Sequence, residues 1–142
     1  MKITFSFLAL LLLCIGCNNS KKVDQPLDKD ALMIEELCFR NEYPFPDSTK
    51  NIDVLNLVLH IKGDSVTGNY NWLPALKDQR NGTLAGTIYD KTIKATYQFM
   101  QEGMQQTAEI TIVLKDEKAI ITGDDPNSGL DTEVAKIPCS AQ

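Results

Sequence analysis

The alternation of apolar and polar residues over most of the chain is the feature that most restricts its fold. From Ile52 onward the dominant period is two, whereas the 3.6-residue period of a helix is hard to find. In residues 53–62 every second side chain is large and apolar, namely Leu55, Leu57, Leu59 and Ile61. This pattern is typical of a strand with one buried face and one wetter face. The sequence therefore predicts an all-β protein.

Turn residues divide this pattern into successive strands. Gly63-Asp64 separates the first run from residues 65–73, so the two runs are predicted to form a tight hairpin. Three further apolar faces follow, at Leu84, Gly86 and Ile88, at Ile93, Ala95, Tyr97 and Phe99, and at Ala108, Ile110, Ile112 and Leu114. Residues 119–122 and 132–137 are predicted as the last strands, and residues 74–82 and 124–130 as loops.

Short strands in series, joined by tight turns, favour an antiparallel meander. A long meander hides its edges by curling into a barrel or by splitting into a sandwich. A small lipocalin-like barrel is the preferred prediction, because Gly68 and Gly86 inside strands suit the bends and bulges of a curled sheet. A β-sandwich is the alternative. Residues 30–142 are long enough for one such domain, and Cys38-Phe39-Arg40 near its start favours a strand over a short helix.

The first sixteen residues have the three parts of a secretory signal: Lys2, an apolar run over residues 5–13, and small or apolar residues before a cysteine. The run is too short to span a bilayer well. Cys14-Ile15-Gly16-Cys17 resembles the lipobox of bacterial lipoproteins, with Cys14 where that family usually has leucine. The resemblance implies cleavage of residues 1–16 and attachment of lipid to Cys17, which would hold the protein at a membrane.

The arrangement of signal, lipobox, polar tether and β domain resembles that of small lipoproteins of Bacteroidota. Residues 17–29 are polar and contain Pro26, so they are predicted to form a flexible tether. Asn18 follows the lipidated cysteine where an aspartate would imply inner-membrane retention, and outer-membrane localisation is therefore expected. Surface-exported lipoproteins of this group carry an acidic signal in the tether, and this chain has Lys21-Lys22 and no acidic pair there. The resemblance therefore implies the periplasmic face of the outer membrane. Asp47-Ser48-Thr49 and Asp64-Ser65-Val66 resemble the O-glycosylation sequences of these proteins.

The charge of the chain disfavours nucleic acid as a partner. Lys2 is the one charged residue of the signal, so 13 of the 14 basic residues and all 19 acidic residues remain after cleavage, a net charge of −6 with His60 neutral. Nucleic acid and anionic headgroups attract basic surfaces. The acidic residues are scattered along the chain, as on an ordinary solvated surface.

Two cysteines remain once Cys14 is removed and Cys17 carries lipid. Cys38 and Cys139 form an even pair in an oxidising compartment, and a disulfide between the two ends of the domain is the simplest interpretation. Two separately buried thiols are the alternative. A loop of about 100 residues closed in this way stabilises the fold by up to about 4.7 kcal/mol in the chain-entropy model.

The motifs of common enzymes are missing from the sequence. The single histidine, His60, lies on the more polar face of its predicted strand, and neither a Gly-x-Ser-x-Gly turn nor a phosphate-binding glycine loop occurs. Residues 125–131 partly resemble a calcium loop but lack its terminal glutamate, so a plain acidic turn is preferred. The sequence thus predicts no catalytic residues, metal or cofactor.

Aromatic side chains are the remaining candidates for a site. Tyr70, Trp72, Tyr97 and Phe99 alternate along two predicted strands and either fill the core or bind a ligand at a barrel mouth. The leading hypothesis is a non-enzymatic envelope protein that binds a small apolar ligand or another envelope protein. A structural or regulatory subunit of an envelope complex and, less favoured, a carboxylate- or metal-dependent enzyme are the alternatives.

The lipobox generates a direct test. The substitution Cys17→Ser removes the sulfur that would carry the lipid, so the variant is expected to lose membrane attachment and normal processing. Fractionation of membranes, with mass spectrometry of the N-terminal peptide, measures both effects. Wild-type protein without acyl mass on Cys17 would contradict the prediction.

Overall fold

The computed structural model describes residues 34–141, with only the backbone described at residues 48 and 49. The predicted signal peptide, Cys17 and the tether lie outside the described residues. Eight strands follow one another: β1 (Glu35–Phe45), β2 (Ser48–Lys62), β3 (Ser65–Leu73), β4 (Arg80–Tyr89), β5 (Thr92–Gln101), β6 (Met104–Leu114), β7 (Lys118–Gly123) and β8 (Thr132–Ile137). A 3₁₀ turn over Cys139–Ala141 ends the described chain.

The sheet closes on itself. Each strand pairs antiparallel with the next along the chain, and β8 pairs with β1. The predicted meander curled into a small lipocalin-like barrel is therefore confirmed, and the sandwich alternative is excluded. The strand favoured by Cys38-Phe39-Arg40 is found as β1.

Two-residue turns set the register of the hairpins. Gly63 has a φ of 61°, and β2 pairs with β3 from Lys62 and Ser65 onward. Glu102 and Gly103 both have positive φ, as the central residues of a type I′ turn require. Because the turn fixes the register, it also decides which side of each strand faces the interior.

The interior is filled by the residues on the apolar face of each strand. Leu57, Leu59, Ile93, Tyr97 and Ile112 are completely buried, and the predicted water-facing residues Lys62, Lys94 and Glu109 are exposed. The period-two prediction of the core is confirmed, with Leu114 partly buried against it.

The part of the prediction that assigned bulges to the strand glycines is wrong. Among the strand pairings of residues 34–141 the one shift of register lies between Pro44 and Phe45, so Gly68 and Gly86 do not mark bulges. A Cβ at Gly68 would collide with the Val58 carbonyl oxygen, and one at Gly86 with the Lys94 carbonyl oxygen. Both glycines are required because a neighbouring strand passes too close for a side chain.

The seam between β1 and β8 is short and is reinforced by side chains. Its register contains only the pairs Cys38 with Ile137 and Phe39 with Lys136. The Asn41 side chain extends it, since its Nδ2 donates to the Glu133 carbonyl oxygen at 2.8 Å and its Oδ1 accepts from the Ala135 amide at 3.0 Å. The amide of Asn41 thus replaces a backbone peptide group in the ladder.

The predicted cysteine pair is found at this seam. Cys38 and Cys139 are at disulfide distance, with their Cα atoms 5.1 Å apart and a sequence separation of 101. The bond ties the start of β1 to the turn that follows β8, and the predicted pairing is thereby confirmed.

The filled interior predicts unequal effects of truncation. Leu57→Ala and Ile112→Ala should each lower the free energy of unfolding by about 2–5 kcal/mol, through lost burial and the cavity left behind. Lys62→Ala, on the exposed side of β2, should change it by less than about 0.5 kcal/mol. Urea unfolding compares the three variants, and similar small losses at all three positions would contradict the core assignment.

Candidate ligand pocket at one end of the barrel

A cavity of about 250 Å³ lies at the end of the barrel where β3 ends and β4 begins. The loop between β7 and β8 forms its far wall, and the end of β5 contributes one residue. Its lining side chains and backbone belong to Leu55, Tyr70, Trp72, Arg80, Gln101, Ser128, Gly129, Asp131 and Thr132. We call this cavity the mouth pocket.

The mouth pocket differs from the other surface cavities because its wall includes a buried charged residue, Arg80. Arg80 is 4% exposed and is the one charged residue that is buried within residues 34–141. Its Nη1 and Nη2 atoms both donate to the carbonyl oxygen of Gly129, each at 3.3 Å. Its Nε atom is buried and has no hydrogen-bond partner in the described part of the chain. A buried, partly unsatisfied guanidinium is energetically expensive and needs an explanation.

Aromatic rings surround the guanidinium in place of a carboxylate. The Arg80 Cζ atom lies 5.5 Å from the centre of the Tyr70 ring and 5.8 Å from the centres of the Trp72 and Phe99 rings. Each contact is within cation–π range, worth about 0.5–2 kcal/mol. None of the ion pairs among the described residues includes Arg80. The positive charge is therefore held by quadrupoles and one carbonyl, without a neutralising anion.

Two tyrosines support Arg80 from the core side. The Tyr97 hydroxyl donates to the backbone carbonyl of Tyr70, and the Tyr70 hydroxyl donates to the carbonyl of Leu130 at 3.1 Å. The Tyr97 ring lies 5.1 Å from the Tyr70 ring and 4.8 Å from the Phe99 ring, measured between centroids. Burial raises the pKa of both tyrosines, and the charge of Arg80 opposes that rise.

The loop over residues 124–131 is organised by its own carboxylates. Asp131 Oδ1 accepts from the Gly123 amide at 2.8 Å, and Asp125 Oδ1 accepts from the Asn127 amide at 2.8 Å. This is the geometry of a plain acidic turn, in which a carboxylate caps nearby backbone amides. In residues 34–141 the one group of possible metal ligands is Glu36, Cys38 and Cys139, whose sulfurs already form the disulfide.

The four aromatic residues predicted for a site divide into two pairs. Tyr70 and Trp72 line the mouth pocket. Tyr97 and Phe99 lie behind it in the core, with exposures of 0% and 7%. Trp72 is the most accessible of the four, since it is only partly buried against the core.

Arg80 was missed because it was placed in a loop over residues 74–82, whereas β4 already begins at Arg80. A signal for it exists in the sequence. Extending the alternation of Leu84, Gly86 and Ile88 backwards by two steps assigns Gly82 and then Arg80 to the inward face. The charge of Arg80 concealed a strand position that the pattern itself indicates.

His60 lies away from the mouth pocket. Its side chain is 41% exposed, and its Nδ1 atom is 3.8 Å from the Glu36 carboxylate on the neighbouring strand. It belongs to the outward face of β2, where the sequence predicted a surface or satisfied histidine.

The fold and the pocket together define the architecture of the protein: a small closed antiparallel barrel with a filled interior and, at one end, a pocket lined by a buried arginine and an aspartate. Comparisons with protein-family models, with curated proteins and with solved structures found no match to the chain. Among residues 34–141, no helix has the length and apolarity needed to cross a membrane.

The raised pKa of Tyr97 predicts a pH-dependent stability. Unfolded tyrosine loses its proton near pH 10, whereas the folded side chain retains it, so the stabilisation is complete below pH 10 and is lost as the pH rises further. Tyr97→Phe should lower the unfolding free energy at pH 8 by about 0.5–1.5 kcal/mol through the lost hydrogen bond. Its stability should then fall less steeply than that of wild type above pH 10.

Urea unfolding at pH 8 and above pH 10, followed by the emission of Trp72, measures both effects. Tyr89→Phe is the control, because Tyr89 is 88% exposed and its loss should change the stability at pH 8 by less than about 0.5 kcal/mol. Parallel pH dependences for Tyr97→Phe and wild type would contradict the prediction.

Proposed function

We propose that the protein is a lipid-anchored, non-enzymatic binding module of the bacterial cell envelope, which takes a small ligand in the mouth pocket. The observation that supports this most is the composition of the pocket wall. Leu55, Tyr70 and Trp72 offer apolar and aromatic surface, and a few polar groups lie beside them. Such a mixture is typical of small-molecule sites, in which apolar contacts give affinity and polar groups give orientation.

The filled interior limits the size of the ligand. Leu57, Leu59, Tyr97 and Ile112 occupy the centre of the barrel, so a ligand would sit at the barrel end. The volume of about 250 Å³ falls just below the roughly 300–1,000 Å³ typical of sites for drug-sized molecules. A compound with a short apolar part and one polar group fits this space better than a long lipid.

The position of the pocket suits a protein anchored by its N-terminus. Strand β1 begins at Glu35, which pairs with Ile61 beside the Gly63 turn, whereas Leu55 at the mouth pocket pairs with Trp72. Leu55 and Ile61 are six steps apart along the strand, roughly 20 Å. The described chain thus begins at the end of the barrel opposite the mouth pocket, so the pocket is clear of the point where a tether from Cys17 would join the barrel. We expect the outer membrane and its periplasmic face.

The polar groups of the pocket support binding more than catalysis. The Ser128 hydroxyl accepts from the Leu130 amide at 3.3 Å, and the Asp131 carboxylate accepts from the Gly123 amide. Both groups hold the loop in place. A serine nucleophile would need a base beside it, and His60 projects from the outward face of another strand.

A role as a structural or regulatory subunit is the second candidate. The filled interior favours it, as does Tyr89 at the β4–β5 turn, an aromatic side chain that is 88% exposed. In that case a surface, and not the mouth pocket, would recognise an envelope partner. Blocking the mouth pocket should abolish recognition if the protein binds a small ligand there, and should leave recognition unchanged if a surface binds an envelope partner.

Filling the pocket tests the proposed function. Thr132→Phe adds a ring at the pocket wall, and Thr107→Phe adds the same ring at an exposed position on β6. The purified full chain is titrated with a panel of small water-soluble compounds, each with a short apolar part and one polar group. The emission of Trp72, the only tryptophan of the chain, reports binding.

At least one compound should bind saturably to wild type, with affinity reduced about tenfold or more in Thr132→Phe and nearly unchanged in Thr107→Phe. Equal effects of the two variants, or a panel without any saturable response, would contradict the proposal and favour the subunit role.

A further inference from the structure

The guanidinium of Arg80 has more donors than the protein satisfies. A guanidinium carries five N–H groups. Its two Nη atoms share the Gly129 carbonyl oxygen, the hydroxyls of Tyr70 and Tyr97 also interact with the guanidinium as hydrogen-bond partners, and the buried Nε atom has no partner within the described residues. The Arg80 side chain lines a cavity whose wall includes Gly129 and two of the three aromatic rings that surround Arg80.

The bonds to Gly129 are too long to explain why a charge is buried here. Both are 3.3 Å, whereas hydrogen bonds from a charged nitrogen are usually about 2.7–2.9 Å. The three aromatic rings offset part of the cost of desolvating the cation, but within the described residues no carboxylate pairs with it. An anionic acceptor is therefore the group that would complete the surroundings of Arg80.

We infer that the mouth pocket recognises a carboxylate, which accepts hydrogen bonds from Arg80 while the apolar part of the ligand packs against Trp72 and Leu55. This inference rests on the proposed function and names its ligand class. A carboxylate suits the site because its two oxygens match the planar donors of a guanidinium, and because the aromatic surroundings exclude water from the pair.

The site also sets the charge of the ligand. Asp131 lines the same pocket as Arg80, yet the two residues form no ion pair. One cation and one anion on the same wall favour a singly charged group over a doubly charged phosphate monoester, which Asp131 would repel. The excess of acidic residues over the whole chain also disfavours a doubly charged anion.

A matched pair of compounds tests the carboxylate directly. 3-Phenylpropanoate and 3-phenylpropanamide have the same ring and chain and differ only in a carboxylate against a neutral amide. Each is titrated into the purified full chain at pH 7, with Trp72 emission excited at a wavelength that the phenyl ring does not absorb. The carboxylate is expected to bind at least about tenfold more tightly than the amide.

The two arginines of the chain provide a matched pair of variants. Arg80→Gln removes the charge at the pocket, and Arg40→Gln removes one from the outer surface, where Arg40 pairs with Glu42 at 2.8 Å. Arg80→Gln should abolish the preference for carboxylate over amide, and Arg40→Gln should preserve it. Circular dichroism establishes that each variant is folded, and if Arg80→Gln is not, the comparison of the two compounds on wild type decides.

The possible outcomes separate the two proposals. Equal affinity for carboxylate and amide, both weakened by Thr132→Phe, would overturn the carboxylate inference and leave the proposed function standing. A carboxylate preference that survives in folded Arg80→Gln would also overturn it. No saturable response to either compound overturns the inference, and the wider panel then decides the proposed function by itself.

Discussion

Closure of the barrel between its first and last strands is the constraint on which the rest of the structure depends. The backbone contributes little to that seam, because its register contains two residue pairs. The Asn41 side chain adds two hydrogen bonds to β8, and the Cys38–Cys139 bond ties the strand ends together. A net hydrogen bond is worth about 0.5–1.5 kcal/mol, whereas closing a loop of about 100 residues contributes up to about 4.7 kcal/mol. The covalent link is thus the strongest single element of the closure.

Most of this fold follows from a single period in the sequence. The alternation through Leu55, Leu57 and Leu59 gives strand β2 and its buried side, and the Glu102-Gly103 turn fixes the register between β5 and β6. The positions where two neighbouring strands pass close together at a glycine were less predictable. Whether a Cβ at Gly68 would meet a carbonyl depends on the distance between two strands, and a sequence pattern carries no information about that distance.

The candidate site was harder to predict because it combines residues that are far apart in the sequence. Tyr70 and Trp72 alternate on one strand and were identified, yet their partner Arg80 looked like part of a polar loop. Its acceptor, Gly129, comes from a loop 49 residues further along the chain. A hydrophobic pattern marks inward positions only when the residues there are apolar. A charged residue at such a position looks like an interruption of the strand, so the pattern conceals the residue on which the proposed site depends.

The aromatic core and the mouth pocket are parts of one packed column. Tyr97 and Phe99 are too deep to touch a small ligand, but they stack on each other and position Tyr70, whose ring supports Arg80. Of the four aromatic residues predicted for a site, Tyr97 and Phe99 therefore support the pocket from below, and Tyr70 and Trp72 line it. The packing of these rings below Arg80 holds its guanidinium in place, and preorganisation of this kind would lower the entropy that the proposed ligand loses on binding. The filled interior leaves no room for a long lipid inside the barrel, so the proposed site is confined to the barrel end.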